Sequence, residues 1–115
     1  MTKQSREEEG VDGASFEKAT KLRDEGKLAE SATILSELAR ANPDSSAVSA
    51  VLGNVFNRLG KTQDAIRCFK HAVCHAPTSE LASLALFHCL WSDGQQRAAA
   101  EELKRYMASN KVSLR

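Results

Sequence analysis

Apolar residues recur at helical spacing along most of the chain. The clearest stripe runs from Val48 to Leu59, where apolar residues return every three or four positions, and a second runs from Ala65 to Val73. This periodicity predicts two amphipathic α-helices. Gly60 lies between them, and glycine stops a helix because it adopts the left-handed conformation without a Cβ clash. We expect Thr62 to cap the second helix and Pro77 to end it.

The same helix-turn-helix plan returns along the chain with a period of about 34 residues. Three sets of residues share this spacing: Gly26, Gly60 and Gly94; Ser15, Ser49 and Ser83; Pro43 and Pro77. We therefore expect repeats at about 12–45, 46–79 and 80–113, within a single domain over 12–115. A single hairpin cannot bury its apolar face alone, so the three are expected to stack.

The middle repeat resembles the tetratricopeptide repeat, whose signature is W-x2-L-G-x2-Y, then A-x3-F, then P. The matching residues are Leu52, Gly53, Phe56, Ala65, Phe69, Ala72 and Pro77, with Ser49 in place of the tryptophan. The outer repeats depart further, with Lys18 at the leucine position of the first and Phe87 at the small position of the third.

The resemblance implies an all-α fold, a right-handed superhelical stack of three antiparallel helix-turn-helix hairpins. Small residues such as Gly53 are expected to let the two helices of a hairpin approach closely, while large ones fill the gaps between hairpins.

A concave groove lined by the first helix of each hairpin also follows from the resemblance, and its ligand would be a peptide or helix of another protein. The groove positions carried over are Phe16, Thr20 and Arg23; Ala50, Asn54 and Asn57; and Leu81, Leu84, His88 and Trp91. They predict a groove with apolar ends and an amide centre. The alternative for Trp91 is packing against the last helix or the C-terminal tail, and for Asn54 a merely exposed amide.

Some grooves of this family clamp the acidic C-terminal tails of cytosolic chaperones. That ligand needs lysine, arginine and asparagine at the groove positions, and here only Asn54 fits. Because Phe16, Thr20, Leu84 and His88 stand at the other places, we reject an acidic chaperone tail as the ligand.

The C-terminal edge of the stack is a second candidate interface. Ala100, Leu103 and Met107 are expected to face the place where a fourth hairpin would lie. Repeat arrays usually need a polar capping element, so this apolar edge could hold a second copy of the chain. The alternative is that Val112 and Leu114 fold back over it, and the sequence leaves both open.

One cluster could be interpreted as a metal site. Cys68, His71 and His75 share a helix face, and two histidines four residues apart can bind zinc. The set lacks a fourth ligand and a supporting carboxylate, which favours surface histidines beside a half-buried thiol. Cys89 adjoins His88 but points elsewhere on a helix, so we expect it to be a small core residue. We predict no catalytic group and no cofactor.

Composition and charge limit the classes of partner and the cellular compartment that we expect. With a net charge of +1, the chain has no strong field for nucleic acid or an anionic membrane. Four charged residues are expected to form an ordinary solvated helix face: Glu101, Glu102, Lys104 and Arg105. No apolar run is long enough to span a bilayer, and the N-terminus has no apolar signal core. Three cysteines without a CxxC pair fit a reducing cytosol.

The sequence therefore predicts a cytoplasmic, non-enzymatic interaction module with a polar, disordered tail at residues 1–11. A small cytoplasmic chaperone for a secreted or membrane-destined protein is the second interpretation. A metal-binding or redox-responsive protein is the third.

Overall fold

The computed structural model describes residues 13–110, which form six α-helices and no strand. The helices are α1 (Gly13–Asp24), α2 (Leu28–Ala41), α3 (Ser46–Arg58), α4 (Thr62–His75), α5 (Glu80–Ser92) and α6 (Gln96–Ser109). They pair into three antiparallel hairpins, which confirms the predicted all-α fold. The predicted tail at 1–11 lies outside the described residues, as do Val112 and Leu114.

The turn within each hairpin is built around a glycine. Gly26, Gly60 and Gly94 have φ angles of 83°, 81° and 84°, a region that side chains with a Cβ rarely adopt. After Gly60, the amide of Lys61 donates to the carbonyl of Phe56 at 2.9 Å, which closes the end of α3. The glycine stops predicted from the period are therefore confirmed.

The expected cap at Thr62 is wrong. α4 begins at Thr62, so the N-cap is Lys61, whose side chain makes no capping hydrogen bond. Side-chain caps occur instead at the start of α3 and α5. Ser45 Oγ accepts from the amide of Val48 at 3.2 Å, and Ser79 Oγ accepts from the amide of Ala82 at 3.1 Å.

The core consists of two clusters, each at an interface between hairpins. The first joins α1 and α2 to α3 through Ala19, Leu35, Leu38, Val48, Leu52 and Val55. The second joins α4 to the third hairpin through Ala65, Ile66, Phe69, Ala72, Val73, Ala82, Leu86, Cys89, Leu90 and Ala99. Cys89 is buried in this cluster, as predicted.

Within the middle hairpin, α3 and α4 approach closely because Gly53 has no side chain. A Cβ placed on Gly53 would lie only 2.8 Å from Cε1 of Phe69, which is shorter than a van der Waals contact. The Phe69 ring therefore occupies the space that any larger residue at position 53 would need.

A buried serine connects the two helices of each hairpin. Ser31 Oγ donates to the carbonyl of Ala19 at 2.7 Å, and Ser49 Oγ lies 2.8 Å from Nδ1 of His71. Ser83 Oγ donates to Glu102 at 2.7 Å. Ser49 and Ser83 stand where the repeat signature has tryptophan, so a polar contact replaces a large ring between the helices.

The prediction of a solvated face at residues 101–105 is wrong for Glu102, whose side chain is 8% exposed. Its carboxylate accepts from Ser83 and from Nε and Nη2 of Arg105 at 2.9 and 2.7 Å. Arg105 also donates to the carbonyl of Pro77 at 3.0 Å. The hydrogen bond to Glu102 raises the pKa of Arg105. Through these contacts the network ties α6 to α5 and to the turn that precedes α5.

The stack is curved. α1 contacts α3 and α3 contacts α5, so the first helices of successive hairpins form a continuous layer. α4 and α6 are instead separated by a cleft of about 390 Å³, whose lining includes Val73, Leu86 and Leu90. The layer of first helices is therefore the concave side. None of the helices within residues 13–110 combines the length and apolar character needed to cross a bilayer.

Candidate functional site: the concave face and the C-terminal edge

All ten predicted groove residues lie on α1, α3 or α5, but their exposure is uneven. The half-buried ones are Phe16, Thr20, Arg23, Ala50 and Asn54. The exposed ones are Asn57, Leu81, Leu84, His88 and Trp91. Four of the five exposed side chains thus belong to α5, so the accessible part of the concave face lies toward the third hairpin.

Four of the half-buried residues, Phe16, Thr20, Arg23 and Ala50, already have partners within the chain. Phe16 and Ala50 pack against the two core clusters. The Thr20 hydroxyl donates to the carbonyl of Glu17 at 2.9 Å, and Nε of Arg23 lies 3.1 Å from Oδ1 of Asp24. These four side chains are therefore engaged locally, and the amides of Asn54 and Asn57 are the polar groups at the centre of the face.

Trp91 stacks on its own helix. Its ring centroid lies 5.7 Å from that of Phe87 at an interplanar angle of 27°, and the Phe87 ring meets His88 edge-on at 5.6 Å. Residues four apart face the same side of a helix, so Phe87 supports Trp91 from below. In the sequence, Phe87 is a large residue at a position where the repeat has a small one, and this departure is the signal for an aromatic cluster.

Exposed apolar surface is concentrated in the third hairpin. In the described chain, the exposed large hydrophobic residues are Leu81, Leu84, Trp91 and Leu103, with fractional exposures of 81%, 45%, 49% and 46%. The first three lie on α5 and the fourth on α6. The three on α5 lie at helical spacing on one face, and exposed apolar surface of this kind is typical of a binding site.

At the C-terminal edge (Ala100, Leu103 and Met107), Ala100 and Leu103 are exposed and Met107 is half-buried. Leu103 stands at the repeat position of Leu35 and Phe69, which are 0% and 4% exposed. Those two side chains belong to core clusters that include residues of the hairpin that follows them. The edge therefore has the residue pattern of an interface between hairpins.

The candidate metal residues are engaged separately. Cys68 packs against the first core cluster, and burial, helped by the charge of Asp64, raises the pKa of its thiol to about 11. His71 contacts Ser49 and lies 4.5 Å from the ring of His75, which is 3.9 Å from Asp44. Within residues 13–110 no three potential metal ligands converge.

The three cysteines are expected to differ in reactivity. Only thiolates react rapidly, and a pKa of about 11 leaves Cys68 with roughly one thiolate in a thousand at pH 8. Cys89 is buried and its pKa is also raised by burial, whereas Cys74 is exposed. Iodoacetamide at pH 8 should therefore modify Cys74 first, as followed by peptide mass spectrometry. Labelling of Cys68 at the rate of Cys74 would contradict this environment.

Six helices in three hairpins, with a glycine turn in each, define the tetratricopeptide-repeat fold with three tandem repeats. The family resemblance predicted from the sequence is thus confirmed at the level of the fold. No family model matches the sequence, and no curated protein matches it.

Solved structures have the same architecture. The first TPR of Spaghetti (RPAP3), bound to the HSP90 peptide SRMEEVD, is 17% identical with a TM-score of 0.77, covering 91% of this chain and 86% of that one. The Yersinia enterocolitica type III secretion chaperone SycD, in complex with a peptide of the translocator YopD, is 16% identical with a TM-score of 0.77, covering 84% and 73%. A MamA crystal structure is 14% identical with a TM-score of 0.79, covering 92% of this chain but 60% of that one.

Proposed function

We propose that this protein is a non-catalytic, cytoplasmic interaction module that holds a peptide or helical segment of a partner protein on its concave face. The observation that carries the proposal is the exposure of Leu81, Leu84 and Trp91 on one helix of that face. Tryptophan is enriched among the residues that dominate interface energies. Trp91 is also held in place by Phe87, so little side-chain entropy is lost when it is covered.

The polar centre of the face suits an uncharged segment. Asn54 and Asn57 each carry an amide donor and an acceptor, which matches the backbone groups of an extended peptide or the polar side of a helix. SycD and the first TPR of Spaghetti each hold a peptide in their structures, which supports the same use of the fold here. Arg23 lies beside Asp24, which offsets the positive charge that this residue would offer to an acidic tail.

The test is an affinity capture with the wild type beside the double variant Asn54→Ala, Trp91→Ala, read by mass spectrometry. Loss of an anchoring aromatic typically costs more than 1 kcal/mol, so a partner on this face should be depleted about tenfold or more on the variant. Both proteins are first compared by circular dichroism and thermal melting, because lost binding must not be lost folding.

The matched control is Glu37→Ala, Arg40→Ala, which removes one charge of each sign from exposed positions of α2. It should retain the partner as the wild type does. A partner held equally by the wild type and by the concave-face variant would place the interface elsewhere and overturn the proposal.

A chaperone for a secreted or membrane-destined client is the second candidate function. It is supported by the likeness to SycD, a chaperone in complex with a translocator peptide. The two functions differ in what happens to the client. A chaperone predicts that the captured protein aggregates when made alone and stays in solution when made together with this chain, whereas a simple adaptor predicts equal solubility in both cases.

A further inference from the structure

Residues on the outer face of α6 stand at repeat positions that, in the second hairpin, lie at the interface with the hairpin that follows. Leu103 is equivalent by position to Leu35 and Phe69, and these belong to the two core clusters that α3 and α5 complete. Met107 and Ala100 are equivalent to Val73 and Ile66, which are buried in the same way. In the first two hairpins, then, the surface at these positions is covered by a helix that follows it.

The N-terminal end of the stack, formed by α1, carries charged side chains at its surface. Glu17, Lys18 and Lys21 are exposed on α1. Their equivalents in the middle repeat, Val51, Leu52 and Val55, pack in or against the first core cluster. A head-to-tail contact between two copies would bury these three charges, which is unfavourable without partners. The C-terminal edge therefore does not fit the N-terminal end of another copy.

Two basic residues flank the C-terminal edge. Arg97 and Lys104 are exposed, and neither joins any of the salt bridges found in the described residues. In a two-fold symmetric pair, the same patch of both copies must meet. A two-fold axis near Leu103 would thus bring the two Lys104 side chains together, and like charges at an interface disfavour pairing.

The second hairpin indicates which kind of partner side chain would bind Arg97. Its equivalent, Gln63, donates to Oδ2 of Asp93 at 2.9 Å, just beyond the last residue of α5. A helix docked on the third hairpin in the direction of α5 would place its C-terminal end beside Arg97. An acidic residue there would form a charge-assisted hydrogen bond in place of the neutral one.

We propose that the C-terminal edge binds an amphipathic helix of another protein, in the place and direction that α5 has on the second hairpin. Apolar residues of that helix cover Leu103 and Met107, and an acidic residue at its C-terminal end pairs with Arg97. This surface is separate from the amide centre of the concave face, so the partner is held without engaging Asn54.

The probe for this surface is a labelled peptide with the sequence of residues 80–94, the helix that this chain itself docks on its second hairpin. We expect saturable binding to the full chain by fluorescence anisotropy, weakened at least tenfold by Leu103→Asp, because an anchoring apolar residue is lost. Leu103 is about half exposed, so the variant should keep its helicity and melting temperature. The variant Asn54→Ala should bind the peptide as the wild type does.

A charge exchange tests the direction of docking. Replacing the Asp93 residue of the peptide by lysine should weaken binding two- to fivefold, as expected for an exposed ion pair. The variant Arg97→Asp should restore binding of the lysine peptide. Arg40→Asp, at an exposed site on α2, is the matched charge control and should not restore it.

Several results would overturn the proposal. No binding, or binding unaffected by Leu103→Asp, would mean that the edge does not accept a helix. A solution mass of two chains that Leu103→Asp reduces to one would make a second copy the occupant. Binding that appears only when Val112 and Leu114 are replaced by aspartate would make residues 111–115 the occupant. The concave-face proposal is tested by loss of a partner on Asn54→Ala, Trp91→Ala, whereas the tests here depend on Leu103 and Arg97. Failure here is therefore distinguishable from failure of the concave-face proposal.

Discussion

Replacing Phe69 with alanine should lower the free energy of unfolding by about 3–5 kcal/mol, which is the usual range for removing a buried phenylalanine ring. Phe69 is 4% exposed and belongs to the core cluster that joins the second and third hairpins. Its loss would leave a cavity at the interface that transmits stability along the stack. Urea denaturation followed by circular dichroism measures the effect, with Phe69→Leu as the milder comparison.

At the same site, Gly53→Ala is expected to change stability in opposite directions in the wild type and in Phe69→Leu. Gly53→Ala alone should destabilise the protein, since its Cβ would meet the Phe69 ring at 2.8 Å, and overpacking costs about 1–3 kcal/mol. In the Phe69→Leu background the ring is absent. Gly53→Ala should then stabilise the protein by up to about 1 kcal/mol, because alanine favours a helix more than glycine does.

The double variant Gly53→Ala, Phe69→Leu recreates the pair that the first hairpin has at the same positions, Ala19 and Leu35, both fully buried. It should therefore be more stable than either single variant. Equal effects of Gly53→Ala in both backgrounds would mean that the ring does not set the distance between α3 and α4.

The parts of the fold that the sequence predicts depend on single residues and their spacing. A glycine recurs every 34 positions, as at Gly60, because the turn that ends each first helix requires a left-handed conformation. Pro77 lies just beyond the end of α4 for a similarly local reason. The sequence also predicts that Gly53 lets the two helices of its hairpin approach closely, but it places Phe69 between hairpins and does not predict that its ring lies against Gly53.

Contacts across a hairpin are harder to predict, because they depend on which side chains meet after packing. Nothing in the spacing of Ser83 and Glu102 indicates that they lie 2.7 Å apart. Glu102 has charged neighbours in sequence and was therefore assigned to the solvated face. The partial burial of Phe16 and Ala50 is not predicted for the same reason, since each packs against a core cluster that forms between two hairpins.

The third hairpin combines two unusual features of the chain. It exposes Leu81, Leu84, Trp91 and Leu103, and it contains the buried acid Glu102. A hairpin with so much apolar surface in water has fewer buried contacts to hold it than the middle one has. The network around Glu102 is therefore expected to be what keeps α6 against α5, and so to maintain the surface to which both proposed partners would bind.

Glu102→Ala should accordingly lower the free energy of unfolding by about 2–3 kcal/mol. The change removes the acceptor for Ser83 and the charge partner of Arg105, and hydrogen bonds to charged groups contribute about 1.5–3 kcal/mol. The cost should stay below the 3–5 kcal/mol typical of a broken, fully buried ion pair, since Arg105 is 32% exposed and can reach water.

Two variants separate the causes. Glu102→Gln keeps an oxygen that accepts from Ser83 but loses the charge opposite Arg105, so its effect should fall between those of the wild type and Glu102→Ala. Glu101→Ala, at the exposed neighbouring position, should change stability by no more than about 0.5 kcal/mol. Urea denaturation of the three variants is the measurement. If Glu101→Ala cost as much as Glu102→Ala, helix propensity and general charge would explain both. If only Glu102→Ala is costly, the buried carboxylate holds the last helix in place, and weakening it should also weaken binding at the C-terminal edge without any change to Leu103.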